Sequence, residues 1–180
     1  MIPSEVLLRY TEPHRRYHTV RHLRAVLGAL HRWLGAELPP ALLTAALWHD
    51  AVYDPKAQDN EERSAALVTD RRAALLILAT KQHHPLDDGD DMKLLLDADL
   101  WILGAPRRAY QRYATLIREE YAHVPDEAYR AGRVVVLEHL MQHPRLYKGD
   151  HPGREERARM NLAWEIRVLS GREPSEPLSV

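Results

Sequence analysis

The sequence contains no cysteine, and this absence excludes several kinds of functional site. Disulfide bridges, zinc–thiolate centres and cysteine nucleophiles all require that side chain. Phenylalanine is also absent, although 45% of the 180 residues are hydrophobic. A chain of this length fits one domain whose core is large enough to fold without disulfides or metal staples.

The chain also lacks an excess of either charge. Lysine and arginine total 25 and aspartate and glutamate total 26, so the formal net charge is −1 with neutral histidine. Nucleic-acid binding needs a basic surface, and none is expected here. No apolar run approaches membrane length, and the first residues lack the order of a signal peptide. These features predict a cytoplasmic protein with no membrane partner.

Helical periodicity runs through nearly the whole sequence, and no segment alternates as a strand would. The pattern predicts an all-α single domain of about eight or nine helices over residues 1–170, with a flexible tail at 171–180. The predicted helical segments, read from periodicity and from proline and glycine breaks, are Glu5–Tyr10, Tyr17–Leu34, Ala41–Ala51, Asn60–Asp70, Arg71–His83, Met92–Leu103, Pro106–His123, Asp126–Gln142 and Arg154–Leu169.

Polar residues with metal-ligand chemistry interrupt three of these apolar segments. His49 and Asp50 end a helix that is apolar nearly all round and therefore buried. His18 and His22 are spaced to share one helical face, which continues with apolar residues around His22. On the third segment, Met92–Leu103, we expect Asp99 to face the core. Asp97 shares its side with Lys93, so we expect Asp97 at the surface or behind the ligands.

Together, His22, His49, Asp50 and Asp99 make a candidate metal site. Two imidazoles and two carboxylates suit a divalent ion such as Mn, Fe, Co, Ni or Mg. One site is expected, with a possible second ion if His83 contributes. The alternative is a buried ion-pair network that holds no metal.

With these residues in place, the chain resembles the HD-domain superfamily of metal-dependent phosphohydrolases. More narrowly, it resembles a family of small predicted HD phosphohydrolases. The resemblance implies an HD-domain helical bundle with His22, His49, Asp50 and Asp99 as metal ligands. The stretches that carry it are Tyr10–His18, Trp48–Pro55, Asp59–Glu61 with Ser64-Ala65, Asp97–Leu100 with Leu103-Gly104, and Arg118–Tyr121.

The first of these stretches is also similar to a pattern of cyclic-nucleotide phosphodiesterases. That pattern, YHNxxHA, places a histidine that acts as an acid four residues before a ligand histidine. Here the run reads Tyr17-His18-Thr19-Val20-Arg21-His22-Leu23, with the asparagine and the alanine replaced. The similarity supports a catalytic role for His18 but does not extend to that substrate class.

Other polar residues near these segments are candidates for substrate contacts or for support of the ligands. His18 could protonate a leaving oxygen, or it could be a satisfied histidine beside His22. His83 could bind a phosphate or a second metal, or it could cap its helix. Arg15 and Arg16 are candidate phosphate clamps. Asn60, Glu61 and Asp97 are candidates for orienting waters or ligands from behind.

The resulting hypothesis is a metal-dependent phosphohydrolase. It would cleave a phosphomonoester or phosphodiester of a small, nucleotide-like substrate by a metal-activated water. In its catalytic role Asp50 could bridge to a second ion if His83 contributes, and Asp99 could orient the attacking water. Two alternatives use the same fold. One is a di-iron HD oxygenase, which needs extra ligands such as His83 or His84. The other is a nucleotide sensor that binds its ligand through the metal without turnover.

Overall fold

The computed structural model describes residues 2–172 as an all-helical chain. Within this range there is no strand, and no helix is both long enough and apolar enough to cross a membrane. The prediction of an all-α chain with eight or nine helices is therefore confirmed. The helices are α1 (Ser4–Arg9), α2 (Val20–Leu34), α3 (Pro40–Trp48), α4 (Asn60–Ala65), α5 (Arg71–Thr80), α6 (Asp90–Asp99), α7 (Arg107–Glu120), α8 (Asp126–Gln142) and α9 (Arg154–Leu169), with a 3₁₀ helix at Leu100–Gly104.

The chain divides into two compact units by its internal contacts. The first contains residues 2–101 and 147–149, and the second contains residues 102–146 and 150–172. The single domain expected over 1–170 stays a prediction. The expected tail lies mainly at 173–180, outside the described residues.

The first unit is built around α3, which packs against α2, α5 and α6. Leu42, Ala45 and Ala46 of α3 are fully buried. Ala45 and Ala46 have small side chains, which leave room for the neighbouring helices. Leu76 of α5 and Leu95 of α6 belong to the same buried cluster. Because α3 is enclosed by apolar neighbours, any polar group at its end must find partners inside the protein.

The ends of α2 and α3 differ from the predicted ends, and the difference affects the site. Thr19 is extended, and its side chain accepts a hydrogen bond from the Arg21 amide, so α2 begins at Val20. The expectation that His18 and His22 share a helical face is wrong, because His18 precedes the helix. Likewise α3 ends at Trp48, which leaves Asp50 on the turn that follows.

Asp97 lies in the interior, and the prediction that only Asp99 of this pair faces the core is wrong. Asp97 is 1% exposed. Its carboxylate accepts hydrogen bonds from the Lys148 amide at 2.6 Å and the Gly149 amide at 2.7 Å. A carboxylate that receives two backbone N–H groups can be buried at little cost. Asp97 thus holds segment 147–149 against the end of α6.

The second unit contains α7, α8 and α9, which surround a buried polar network. Glu165 of α9 accepts a hydrogen bond from the Tyr110 hydroxyl at 2.5 Å and from Arg133 Nε at 2.9 Å. Nη2 of Arg133 donates to the Tyr113 hydroxyl at 3.2 Å. The network satisfies a carboxylate and a guanidinium inside the unit, which is the condition for burying them.

We predict that Asp97→Ala destabilises the protein by about 2–4 kcal/mol, because two partly buried amides lose a charged acceptor. The matched control is Asp88→Ala at an exposed position, which should change stability by less than about 0.5 kcal/mol. Urea unfolding of both variants measures the difference. An Asp97→Ala protein as stable as Asp88→Ala would show that these hydrogen bonds do not hold the segment.

Candidate metal centre

Four side chains from three parts of the first unit meet at one point. His22 comes from the first turn of α2, His49 and Asp50 from the end of α3, and Asp99 from the last residue of α6. Each offers one ligand atom, and these atoms all lie within 4.8 Å of one another. The structure therefore brings together the four residues that the sequence predicted as ligands, and the cluster could hold a metal ion.

The spacing of the ligand atoms is tight. His22 Nε2 lies 3.1 Å from His49 Nε2, 3.3 Å from an Asp50 oxygen and 3.2 Å from an Asp99 oxygen. His49 Nε2 lies 3.2 Å from the same Asp50 oxygen and 3.7 Å from the same Asp99 oxygen. Ligands bound to one ion at about 2.1 Å are about 3.0 Å apart at right angles and about 3.4 Å apart at tetrahedral angles. Four of the five separations fall within this range and the fifth, 3.7 Å between His49 and Asp99, lies slightly above it, so the atoms are close to the spacing found around a single ion.

The tautomer of His49 is fixed by the helix that carries it. Its Nδ1 lies 2.9 Å from the carbonyl oxygen of Ala46, which can only accept a hydrogen bond. Nδ1 therefore carries the proton, and in the neutral ring Nε2 presents a lone pair to the cluster. This carbonyl contact is the usual way in which proteins orient a histidine ligand from behind.

Without a metal, the imidazoles carry the positive charge of the cluster: burial lowers the pKa of His49, but Asp50 and Asp99 outweigh burial and raise it, and they act on His22 as well. Burial by itself lowers the pKa of His22, but hydrogen bonds to Asp50 and Asp99 outweigh burial and raise the pKa to about 10. The Nε2 proton then faces three acceptors, His49 Nε2 and the two carboxylates. One proton cannot make three good hydrogen bonds, whereas one cation can be shared by all four groups. The donor set thus fits a divalent ion.

Both carboxylates stay ionised in this setting. Burial raises the pKa of Asp99, but hydrogen bonds from His22 and His83 bring it well below its ordinary value. Burial opposes ionisation of Asp50 as well, and the charges of His49 and His18 outweigh it, so its pKa is lowered too. The side chains of Asp50 and Asp99 are 20% and 13% exposed. The carboxylate side of the cluster is therefore partly open to solvent.

His83 reaches the cluster through Asp99. Its Nε2 lies 3.1 Å from one Asp99 oxygen, while the other Asp99 oxygen faces His22. His83 also has a positive φ of 49°, and no other non-glycine residue in the described range does. A left-handed backbone is uncommon for histidine and is found more often at functional sites. His84, the other candidate at this position, is exposed.

His18 lies beside the cluster, next to His22 and Tyr53. Its ring centroid lies 5.6 Å from that of His22 and 4.2 Å from that of Tyr53. The ring is half-buried, so it can meet a molecule that approaches the carboxylates. This position agrees with the predicted role of His18 at the edge of the site, and that role stays a prediction.

The two predicted phosphate clamps differ from each other in their surroundings. Arg15 is buried, and its guanidinium bonds to Glu12 and to the carbonyl oxygens of His18, Asp50 and Ala51. Arg16 is exposed and donates to the carbonyl oxygens of Pro13 and Arg15. A buried guanidinium that serves four protein acceptors has little left to offer a substrate.

Asn60 and Glu61, at the start of α4, also differ. The Asn60 amide group bonds to the backbone N–H and C=O of Asp54, so Asn60 closes the loop before α4. Glu61 is half-buried, and burial together with the charge of Asp50 raises its pKa. Of the two, only Glu61 interacts electrostatically with a residue of the cluster. Their predicted support of the ligands stays untested.

Two tyrosines have site roles that sequence reasoning missed. The buried Tyr10 hydroxyl contacts the main chain on both sides of His49, at Leu47 and Asp50. Tyr53 packs against His18. Both residues lie within the stretches that carry the family resemblance. Tyrosine is common in protein cores, however, and nothing in the spacing of these two distinguishes a tyrosine that supports a site from one that only fills the core.

We predict that metal uptake releases about one proton and strengthens as pH rises. The pKa of His22, about 10 in the metal-free protein, exceeds its ordinary value, so His22 is protonated at neutral pH and its proton competes with the ion. The apparent dissociation constant for Mn²⁺ should fall about tenfold per pH unit between about pH 6.5 and 8. Calorimetry in buffers with different ionisation enthalpies counts the protons. An affinity independent of pH, with no proton released, would contradict this description of His22.

Comparison with known proteins yields no relative for this chain. No family model matches it, and neither a curated protein nor a solved structure does. What is known of this chain therefore comes from its own structure: the described residues form an all-helical fold, and His22, His49, Asp50 and Asp99 form a cluster that could hold a metal ion.

Proposed function

We propose that the protein is a metal-dependent phosphohydrolase of the HD-domain type. One observation carries the proposal: the Nε2 atoms of His22 and His49 and one carboxylate oxygen each of Asp50 and Asp99 meet at one point. His22 Nε2 lies within 3.3 Å of the other three atoms. His22, His49, Asp50 and Asp99 would hold the ion. When bound, a divalent ion polarises a phosphoryl oxygen and lowers the pKa of a water molecule.

The residues around the cluster divide the remaining work. Asp50 and Asp99 present their partly exposed carboxylates on the side that solvent reaches, where they can orient a water by accepting its hydrogen bonds. His83 holds the outer oxygen of Asp99, which limits rotation of that carboxylate. His18, which packs against Tyr53, would give a proton to the departing alkoxide of a phosphate ester.

The proposed substrate is a small phosphomonoester or phosphodiester, nucleotide-like in its leaving group. The ion would carry the affinity for the phosphoryl group, because Arg15 has its guanidinium occupied by the protein. Arg16 is exposed in the same segment, where a bound phosphate could contact it.

We predict that His49→Ala and Asp50→Asn lose metal binding and turnover together, each by more than about a hundredfold, because the first removes a ligand and the second removes the negative charge of one. The control is His84→Ala, which removes an exposed imidazole next to His83 and should leave both properties within about twofold of wild type. Metal content by mass spectrometry and hydrolysis of nitrophenyl phosphate esters and nucleotides provide the two readouts. Full activity in metal-stripped protein would refute the proposal.

The same panel separates the two alternatives. Turnover that requires dioxygen and an iron-loaded protein would assign the site to oxygenase chemistry. Tight nucleotide binding that depends on the metal, with no product from any ester, would assign it to a sensor. His83 beside Asp99 is the residue that an additional ion would need.

A further inference from the structure

We infer that Tyr10 and Arg15 are positioning residues for Asp50: they hold its main chain from both sides and thereby aim its carboxylate at the metal cluster. This inference rests on the proposed function, since it explains how the predicted ligand is kept in place. It also gives Arg15 a role other than the phosphate clamp that its position in the sequence suggested.

Arg15 joins the segment before α2 to the turn after α3. Its Nη1 donates to the carbonyl oxygen of Asp50 at 2.8 Å and to that of His18 at 2.9 Å. Nη2 donates to the carbonyl oxygen of Ala51 at 3.3 Å, and Nε donates to Glu12 at 2.9 Å. One planar cation therefore links His18, the proposed proton donor, to Asp50, a proposed metal ligand.

Tyr10 completes the attachment by binding the other main-chain group of Asp50. The amide of Asp50 donates to the Tyr10 hydroxyl at 3.2 Å, and that hydroxyl donates to the carbonyl oxygen of Leu47 at 3.2 Å. Burial and the charge of Asp50 keep the pKa of Tyr10 well above its ordinary value, so the hydroxyl retains its proton. Both polar groups of the Asp50 backbone are thus fixed by residues that are not metal ligands.

The two positioning residues also hold each other. The Arg15 guanidinium carbon lies 5.1 Å from the centroid of the Tyr10 ring and 5.4 Å from that of the Tyr53 ring. Tyr53 is the residue against which His18 packs. These contacts place a flat cation against aromatic faces in a buried setting, where the attraction is strongest.

Burial separates this role from substrate binding. The Arg15 side chain is 0% exposed, and its nitrogens are shared among three carbonyl oxygens and one carboxylate. Lysine cannot replace it, because an ammonium group presents three donors around a point and not a planar fork. Arg15→Lys therefore keeps the charge and removes the geometry.

The experiment compares two site variants with two matched variants from the second unit. Arg15→Lys is matched by Arg159→Lys, because Arg159 also bonds to one carboxylate and three carbonyl oxygens. Tyr10→Phe is matched by Tyr110→Phe, which removes an equally buried hydroxyl from Glu165. Two quantities are measured for each: the Mn²⁺ dissociation constant of the full chain and amide hydrogen exchange at Asp50 in the metal-free protein.

We expect Arg15→Lys and Tyr10→Phe to weaken Mn²⁺ binding about 10- to 100-fold, the usual effect of removing support behind a metal ligand. Arg159→Lys and Tyr110→Phe should change it by less than about twofold, even where they lower the melting temperature. Equal Mn²⁺ affinities in site variants and controls would overturn the inference. The inference would also be overturned if Arg15→Lys raised the KM for a phosphate ester and left Mn²⁺ affinity unchanged, because that result identifies a substrate contact.

Hydrogen exchange distinguishes failure of this inference from failure of the proposed function. If wild-type protein takes up neither Mn²⁺ nor Fe²⁺, Co²⁺, Ni²⁺ or Mg²⁺, the phosphohydrolase proposal fails, while the attachment of Asp50 can still be judged. Its amide should exchange at least about tenfold faster in Tyr10→Phe and Arg15→Lys than in the two controls. Unchanged exchange in both site variants overturns the positioning role. Tyr10→Phe is the milder substitution and keeps the test available if Arg15→Lys does not fold.

Discussion

The structure of the first unit depends on the burial of four polar side chains at the end of an apolar helix. Each ionised group removed from water costs several kcal/mol unless a partner replaces the lost solvation. His22, His49, Asp50 and Asp99 have each other as partners, at separations of 3.1–3.7 Å. Two carboxylates and two imidazoles share one centre only when a positive charge lies between them, from a proton on His22 or from a metal.

Helix ends deliver these groups to the centre. His49 follows the last residue of α3, Asp99 is the last residue of α6, and His22 lies in the first turn of α2. A helix interior would bury a side chain among its own neighbours, whereas an end can present it to other elements. The turns that result have backbone groups outside the helical pattern, and these need acceptors and donors of their own. At Asp50, Arg15 donates to the backbone carbonyl and Tyr10 accepts from the backbone amide. The side chain of His49 has its own partner, because its Nδ1 contacts the carbonyl oxygen of Ala46.

Much of this site could be predicted from the sequence because its ligands are polar residues in apolar surroundings. His49-Asp50 at the end of α3 and Asp99 on α6 interrupt hydrophobic patterns, and such interruptions are visible without a structure. Asp97 was misjudged because two backbone amides from segment 147–149 bury it, and hydrogen bonds between distant segments leave no periodic trace. His18 was misplaced because a single side-chain bond at Thr19 decides where α2 begins. The contacts of Arg15 were hidden for the same reason as those of Asp97: three of its four partners are carbonyl oxygens, which every residue has.

The most direct test of the account is the location of Mn²⁺ by anomalous diffraction from crystals of the full chain grown with the ion. The account predicts one anomalous peak about 2.0–2.3 Å from the Nε2 atoms of His22 and His49 and from carboxylate oxygens of Asp50 and Asp99. A second, weaker peak near His83 would agree with an additional ion. No peak at the cluster, with His22 still hydrogen-bonded to both carboxylates, would show that a proton and not a metal holds these groups together, and would contradict the account.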